Sequence, residues 1–236
     1  MTGPDHEDPR IVAGMRRQFA LFEDRRRSGA RRIGWKVGFG APAAKEKLKI
    51  AMPLVGFLLD AAVLPDGASV SLGGWNKPVA EPEIAVEFGR DVPAHPSEDE
   101  AAHAIAAIGP AIELADIDGP MDDVESILAG DIFQRHVIFG PRRAVELPGG
   151  LPGLTGAVIR NDQAVPVPAD LEANTGRILE TVRGVSLTLA RFGEGLRAGD
   201  ILIAGSVTPP LMLTADDTAI SWALQPIGKV AVGFGG

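Results

Sequence analysis

Hydrophobic residues recur along this chain with two distinct periods, and the change from one to the other divides it into elements. From Ile11 to Phe22 the apolar positions Ile11, Val12, Met15, Phe19, Leu21 and Phe22 fall at helical spacing, arginines take the other faces, and Pro9 suits a first helical turn. Around Gly34 the period drops to two. Ile33, Trp35, Val37 and Phe39 share one face and Lys36 points to the other, as in a strand. Residues 41–53 read as a short helix or a loop. "VGFLLDAAVLPDGASVSL" predicts two short strands broken by a "PDG" turn. "PVAEPEIAVEF" is strand-like. Ser97, followed by Glu98 and Glu100, marks the start of an alanine-rich helix that Gly109 and Pro110 would stop, with "AIELADI" following as a strand. "MDDVESILAGDIFQRHVIFGP" reads as a short helix, a loop and a strand. Val158 and Val165 flank a "RNDQ" hairpin, and "EANTGRILETVRGVSLTLARFGEG" is a second long helix. Three or four strands complete the chain.

The order is helix, strands, helix, strands, helix, strands, which predicts an α+β fold. Composition sharpens this: 29 Gly and 19 Pro in 236 residues imply many short elements and a β-rich body. No repeat or low-complexity linker interrupts it. The one boundary the pattern suggests lies near residue 30, giving an N-terminal helical segment, 1–30, and a body, 31–236. A formal charge of −8 makes nucleic acid and anionic membrane surfaces poor partners. No apolar run approaches the roughly 18–20 residues of a membrane span. The polar, acidic start "MTGPDHEDPR" is unlike a signal peptide, and the absence of cysteine removes disulfides and thiol chemistry. These features fit a cytoplasmic protein. The arginines at 25, 26, 27, 31 and 32 form a basic patch, read as the solvated end of a helix rather than an anion site.

The sharpest chemistry lies in "AEPEIAVEF". Glu81 and Glu83 stand two residues apart on a strand and share a face, where like charges repel unless a cation lies between them. With Glu113 on a later strand they offer three hard oxygen donors, a set that suits Mg²⁺ or Mn²⁺. The alternative is a solvated edge strand, which Pro82 favours because it cannot donate to a ladder. Lys36 sits mid-strand among apolar residues and glycines, where desolvation can bring a lysine into acid/base range; the alternative, favoured on these residues alone, is an exposed strand lysine. In "GDILIAGSVTPP", Gly205, Ser206 and Thr208 end an apolar strand where backbone and hydroxyls could hold a carboxylate; a plain turn is the alternative. Asp116 and Asp118 could add ligands but read better as turn residues. Of the four histidines, His6 lies in a terminus, His95 in a turn and His103 in a helix, leaving His136 beside the site segments, with a structural role equally open. "GFG" at 38–40 is no dinucleotide fingerprint, because no βαβ unit follows, and there is neither a P-loop nor a nucleophile elbow.

"GWKVGF", "EPEIAVEF", "AIELAD", "LRAGDILIAGSVT" and "IGKVAVGF" occur in that order. Together they resemble the 2-keto-4-pentenoate hydratase branch of the fumarylacetoacetate hydrolase superfamily, over about residues 10 to 236. The resemblance implies a mixed β-roll or β-sandwich core with a small N-terminal helical cap, homo-oligomers, and a divalent metal on Glu81, Glu83 and Glu113. It places the acid/base lysine at Lys36. Joined to the reading of the residues above, this gives Lys36 and Glu81 as the catalytic candidates and Gly205, Ser206, Thr208 and His136 as the substrate-binding ones. The implied activity is hydration of a 2-hydroxy-2,4-dienoate in aromatic catabolism. Alternatives are decarboxylation of the 4-oxalocrotonate type, cleavage of an acylpyruvate C–C bond, or a non-catalytic 2-oxo-acid-binding homologue. Two stretches depart from the family pattern. Phe39–Ala41 stands where a Leu-Thr-Ser-like stretch is usual, and Asp131, Gln134, Arg135 and His136 fill a segment that is usually "DNAS". Both point to a changed specificity or reaction.

Overall fold

The computed structural model describes residues 8–145, 151 and 153–235; His6 lies outside them. The chain runs through α1 (Pro9–Arg27), β1 (Arg32–Gly38), α2 (Pro42–Leu48), β2 (Leu54–Leu59), β3 (Val63–Leu64), β4 (Ser69–Val70), β5 (Pro78–Phe88), α3 (Glu98–Ala104) and β6 (Ile105–Asp116). It continues through α4 (Val124–Ala129), β7 (Gln134–Phe139), β8 (Thr155–Arg160), β9 (Gln163–Val165), α5 (Ile178–Ala190), β10 (Ile201–Ser206), β11 (Leu211–Met212), β12 (Ala219–Gln225) and β13 (Gly228–Phe234).

The strands form two mixed sheets. One has the order β2-β1-β10-β5-β6-β7-β3, with β11 added alongside β5, and the other has the order β4-β13-β12-β8-β9. The "PDG" turn links them: Gly67 N–H donates to the Ala231 carbonyl at 2.9 Å, and Asp66 Oδ1 accepts from Ala231 N–H at 2.8 Å. Strand alternation gives the larger sheet two unlike faces. Trp35, Val37, Ile84, Val86, Ile112, Leu114 and Leu202 point into the main core, which they share with Val158, Ile220, Trp222 and Val230 of the smaller sheet and Val182 and Leu189 of α5. The opposite face carries Leu58, Ala85, Ala111, Val137 and Ile203, all buried, together with the charged residues of the site.

Helix α1 opens with Asp8, whose Oδ1 accepts from Arg10 N–H at 2.9 Å, and ends in Arg25, Arg26 and Arg27, where cations favour the helix dipole. Its buried face is Gly14, Met15, Gln18 and Phe22. Phe22 packs on Phe57 with ring centroids 5.0 Å apart, and Gln18 Nε2 donates to the carbonyls of Val55 and Leu128. The arginine patch is largely neutralised: Arg26 pairs with Glu23, Arg31 with Asp60, and Arg32 with Glu194 and Asp200. Among the described residues no helix is long and apolar enough to cross a membrane.

Four expectations from the sequence are corrected. The alanine-rich helix stops at Ala104, and Gly109 and Pro110 lie inside β6, not at a helix end. Pairing with β5 along almost its whole length overrides the local helix propensity there. At Gly109 a side chain would run into the Pro141 carbonyl, so the position needs glycine. The long helix begins only at Ile178, leaving residues 172–177 as a loop. Three short strands, not two, occupy residues 54–70. Finally, β5 is not an edge strand: it lies between β10 and β6. Pro82 is tolerated because a residue's N–H and C=O point to the same side of an antiparallel strand. Its carbonyl accepts from Val207 N–H at 2.8 Å, so its missing N–H faces the gap between the end of β10 and the start of β11.

The smaller sheet holds β5 in place through one buried bond, from Trp222 Nε1 to the Glu83 carbonyl at 2.8 Å. Trp222→Phe removes that donor, while Glu83 keeps its ladder position opposite Ala111. It is expected to lower stability by about 0.5–1.5 kcal/mol, measured by urea denaturation; an unchanged midpoint would deny the bond its anchoring role.

Candidate metal centre and cavity

Period-two alternation puts Glu81 and Glu83 on the same face of β5, and the β5–β6 register sets Glu113 directly opposite Glu81. Carboxylate oxygens of the three residues all lie within 4.8 Å of one another. Glu83 and Glu113 are fully buried, and Glu81 is partly buried. Lys36 comes from β1, beyond β10 on the same face, and its Nζ donates to Glu113 Oε1 and, at 3.3 Å, to the Ile132 carbonyl.

The protein satisfies only part of this cluster. Glu83 Oε2 accepts from Gly205 N–H at 2.7 Å, but Glu83 Oε1 and Glu113 Oε2 have no hydrogen-bond partner. Gly205 can aim its N–H at the carboxylate because its backbone is left-handed, with φ +93°. Burial raises the Glu83 carboxyl well above the usual range, and repulsion from Glu113 and Glu81 adds to it. Burial, with repulsion from Glu113, brings Glu81 up to about 7. Glu113 is also raised by burial, against the pull of Lys36. Burial alone would lower the Lys36 ammonium, but Glu113, Glu81 and Glu83 outweigh it and hold the group above its ordinary value. Three carboxylates against one lysine leave two negative charges uncompensated when all are ionised. Two unpartnered buried oxygens beside a third carboxylate fit a hard divalent cation in both charge and donor type.

A fourth acidic side chain, that of Asp131, lies near Lys36. Asp131 is fully buried, and its Oδ1 accepts from Phe57 N–H at 2.9 Å while Oδ2 has no partner. Gly56 makes room for the pair. A Cβ there would stand 2.8 Å from Asp131 Oδ1 and 2.9 Å from Lys36 Cγ. Asp131, Ile132 and Phe133 all have left-handed backbones, φ 58°, 53° and 64°. For non-glycine residues this costs on the order of 1–3 kcal/mol each. Their contacts with Phe57, Lys36 and the cavity hold the turn in that shape.

The cluster opens on a cavity of about 180 Å³ lined by Lys36, Glu81, Gly205, Ser206, Asn174 and Thr175 and by a largely apolar wall. Glu81, Lys36, Gly205 and Ser206 therefore meet as the sequence reading placed them. Thr208 does not line the cavity; it is buried, and its hydroxyl donates to the Pro209 carbonyl. His136 is also elsewhere. It pairs with Leu114 across β6–β7, one residue out of phase with the Val137–Glu113 pair, so it points to the opposite face and stacks near Trp75. Asp116 accepts from the N–H groups of Asn76 and Lys77, and Asp118 pairs with Arg135; neither joins the cluster. Sequence reasoning missed Asn174, which donates to the carbonyls of Ser206 and Thr208 and ties the loop before α5 to the end of β10. The signal available was "NTG", a turn-forming triplet just before the helix.

The fumarylacetoacetate hydrolase C-terminal family matches residues 34–233, and the chain belongs to that family. It is 28% identical over 219 residues to a 2-hydroxyhexa-2,4-dienoate hydratase of Comamonas testosteroni, covering 89% of this chain and 81% of that one. It is 25% identical to a 4-oxalocrotonate decarboxylase of a Pseudomonas species, over 90% of this chain and 82% of that one. The solved structure of 4-oxalocrotonate decarboxylase from Pseudomonas putida G7, complexed with magnesium and adipate, superposes with a TM-score of 0.86 at 24% identity, covering 95% of this chain and 86% of that one. The mixed β-roll architecture is thus that of the family.

Burial raises the Asp131 carboxyl from its ordinary 3.8 to about 8. The folded state then binds this proton more tightly than the unfolded chain does, so stability is lost as pH rises from the unfolded value towards the folded one. In EDTA the Tm is expected to fall between about pH 4 and about pH 8, and Asp131→Asn to flatten the fall. Equal slopes in the two proteins would remove Asp131 as its source.

Proposed function

We propose that the protein is a divalent-metal-dependent lyase acting on 2-oxo acids, with hydration of a 2-hydroxy-2,4-dienoate from aromatic breakdown as the leading reaction. One observation carries the reading: three carboxylates converge beside a buried lysine, on the wall of a cavity of about 180 Å³. Glu81, Glu83 and Glu113 would hold Mg²⁺ or Mn²⁺. When bound, the cation supplies Lewis-acid stabilisation of negative charge on a 2-oxo oxygen and its neighbouring carboxylate.

The rest is done by side chains of this chain. Lys36 lines the cavity in its protonated form, held so by the glutamates around it, and moves a proton at C3 of the bound acid or on a water beside it. Glu81 is the member of the triad that lines the cavity, and so the carboxylate that touches the substrate. Ser206 and the Gly205 backbone border the same space and orient the substrate's carboxylate. Thr208 and His136 drop out of the substrate-binding set, on the placements described above. Decarboxylation is the second reading, favoured by the likeness to the Pseudomonas decarboxylase, and C–C cleavage of an acylpyruvate would use the same residues. Cytoplasmic residence and a homo-oligomeric state belong to this reading and are supported by the resemblance of the chain to its family.

Glu83→Gln should weaken Mg²⁺ binding by more than about tenfold and abolish metal-dependent turnover with the fold intact. Full activity of that variant, or of the parent protein in EDTA, would sink the metal reading. Lys36→Ala should lower kcat by about 10²–10⁴-fold with little change in ligand affinity, whereas an unchanged kcat would end its acid role. Product NMR over a panel of 2-oxo-enoates and acylpyruvates with Mg²⁺ separates hydratase, decarboxylase and hydrolase. A Tm raised by oxalate only with Mg²⁺, with no turnover of any panel member, would instead identify a binding protein.

A further inference from the structure

The cavity changes character along its length. On β5 and β6 the residues sharing a face with Glu81 and Glu113 towards the open end are Val79, Ala115 and, just past the strand, Ile117. At roughly 3.3 Å per residue, the lining turns from acidic to apolar within about 7 Å of the carboxylates. Phe39, Met121, Ile132 and Phe133 complete this outer wall. Among the described residues, Lys36 is the one cation that lines the cavity, and it is committed to Glu113. The charged groups flanking Ile117 are Asp116 and Asp118, both acidic. Their partner Arg135 does not reach the lining, since it lies 2.6 Å from Asp118 and 3.6 Å from Asp116. An adjoining cavity, sharing Val37 and Thr175, contains Lys45 and Arg177, but Glu180 lines it too and Arg177 is paired with Glu98 at 2.9 Å.

We infer that the substrate carries a single carboxylate, held at the Lys36 and glutamate end, and an uncharged tail seated among Phe39, Ile117, Met121, Ile132 and Phe133. This rests on the 2-oxo-acid reading and names the branch of that class the cavity selects. A second carboxylate at the far end of the substrate would leave water for an apolar wall with no counter-charge, while an alkyl tail gains contact there. The relatives leave this choice open, since they include both a hydratase of a hexadienoate and a decarboxylase of an oxalocrotonate.

The test uses two saturated 2-oxo acids of equal carbon count, 2-oxohexanoate and 2-oxoadipate, which differ in having a methyl or a carboxylate at C6. Titrated calorimetrically into the protein with Mg²⁺, 2-oxohexanoate is expected to bind at least about 50-fold more tightly. Met121 lies at the mouth and is 41% exposed, so Met121→Arg can be made without disturbing the core. That variant should move the preference at least about tenfold towards 2-oxoadipate; a preference identical to the parent's would overturn the placement of the tail. Equal affinities in the unaltered protein would overturn the inference and leave the 2-oxo-acid reading standing. So would tight 2-oxoadipate binding that Lys45→Met abolishes, because it would identify Lys45 as the missing counter-charge. If neither acid binds in the presence of Mg²⁺, the 2-oxo-acid reading fails and the inference fails with it.

Discussion

The structure is organised around charge held out of water. Lys36, Glu83, Glu113 and Asp131 are all buried, and Glu81 stands at their margin. Desolvating ionised groups costs several kcal/mol each unless partners replace the lost water. The fold supplies some of them: the Gly205 N–H for Glu83, the Phe57 N–H for Asp131, and the ammonium of Lys36 for Glu113. It withholds others, leaving one oxygen of each of these three carboxyls without a partner. A core built for stability alone would use apolar residues here. The unmet demand is for positive charge, and it is concentrated where the cavity begins.

Each element nearby can be understood as support for that cluster. The two long central strands place the three glutamates by register alone, with no loop geometry involved. Trp222 reaches across from the smaller sheet to fix the Glu83 backbone. The register shift between Ile203 and Ser206, within β10, frees Gly205 to turn its N–H from the ladder to a carboxylate. At the arginine-rich helix end Arg25 lies over the Phe57 ring and acts electrostatically on Asp131, while most of the other charge there is absorbed by neighbouring acids.

How much of this could be read from the residues depended on whether local pattern or long-range pairing decided the outcome. Glu81 and Glu83 were legible because a period-two face needs only the strand itself. Lys36 and Glu113 gained their meaning from the order of motifs. The Gly109–Pro110 pair misled, because its breaking signal is local while the β5–β6 ladder is not. His136 misled for a related reason: its face depends on its phase against Glu113, which a sequence without register cannot provide. Pro82 suggested an edge, and only the gap in the neighbouring ladder explains a proline in a central strand. Asn174 was hidden in a stretch whose composition suited the helix that follows it.

The strained turn from Asp131 to Phe133 has a consequence for how this protein can change. Asp131 lies beside the lysine across Gly56, the Ile132 carbonyl bonds to that lysine, and Ile132 and Phe133 form part of the apolar wall. On the proposed function, proton transfer and tail recognition therefore share three adjacent codons. A lineage drifting towards a different substrate cannot remodel that wall without also disturbing the acid. The route left to it runs through Met121, which lines the same wall from another element and is 41% exposed, whereas Phe39 and Ile117 pack against the cluster that holds Ile132 and Phe133.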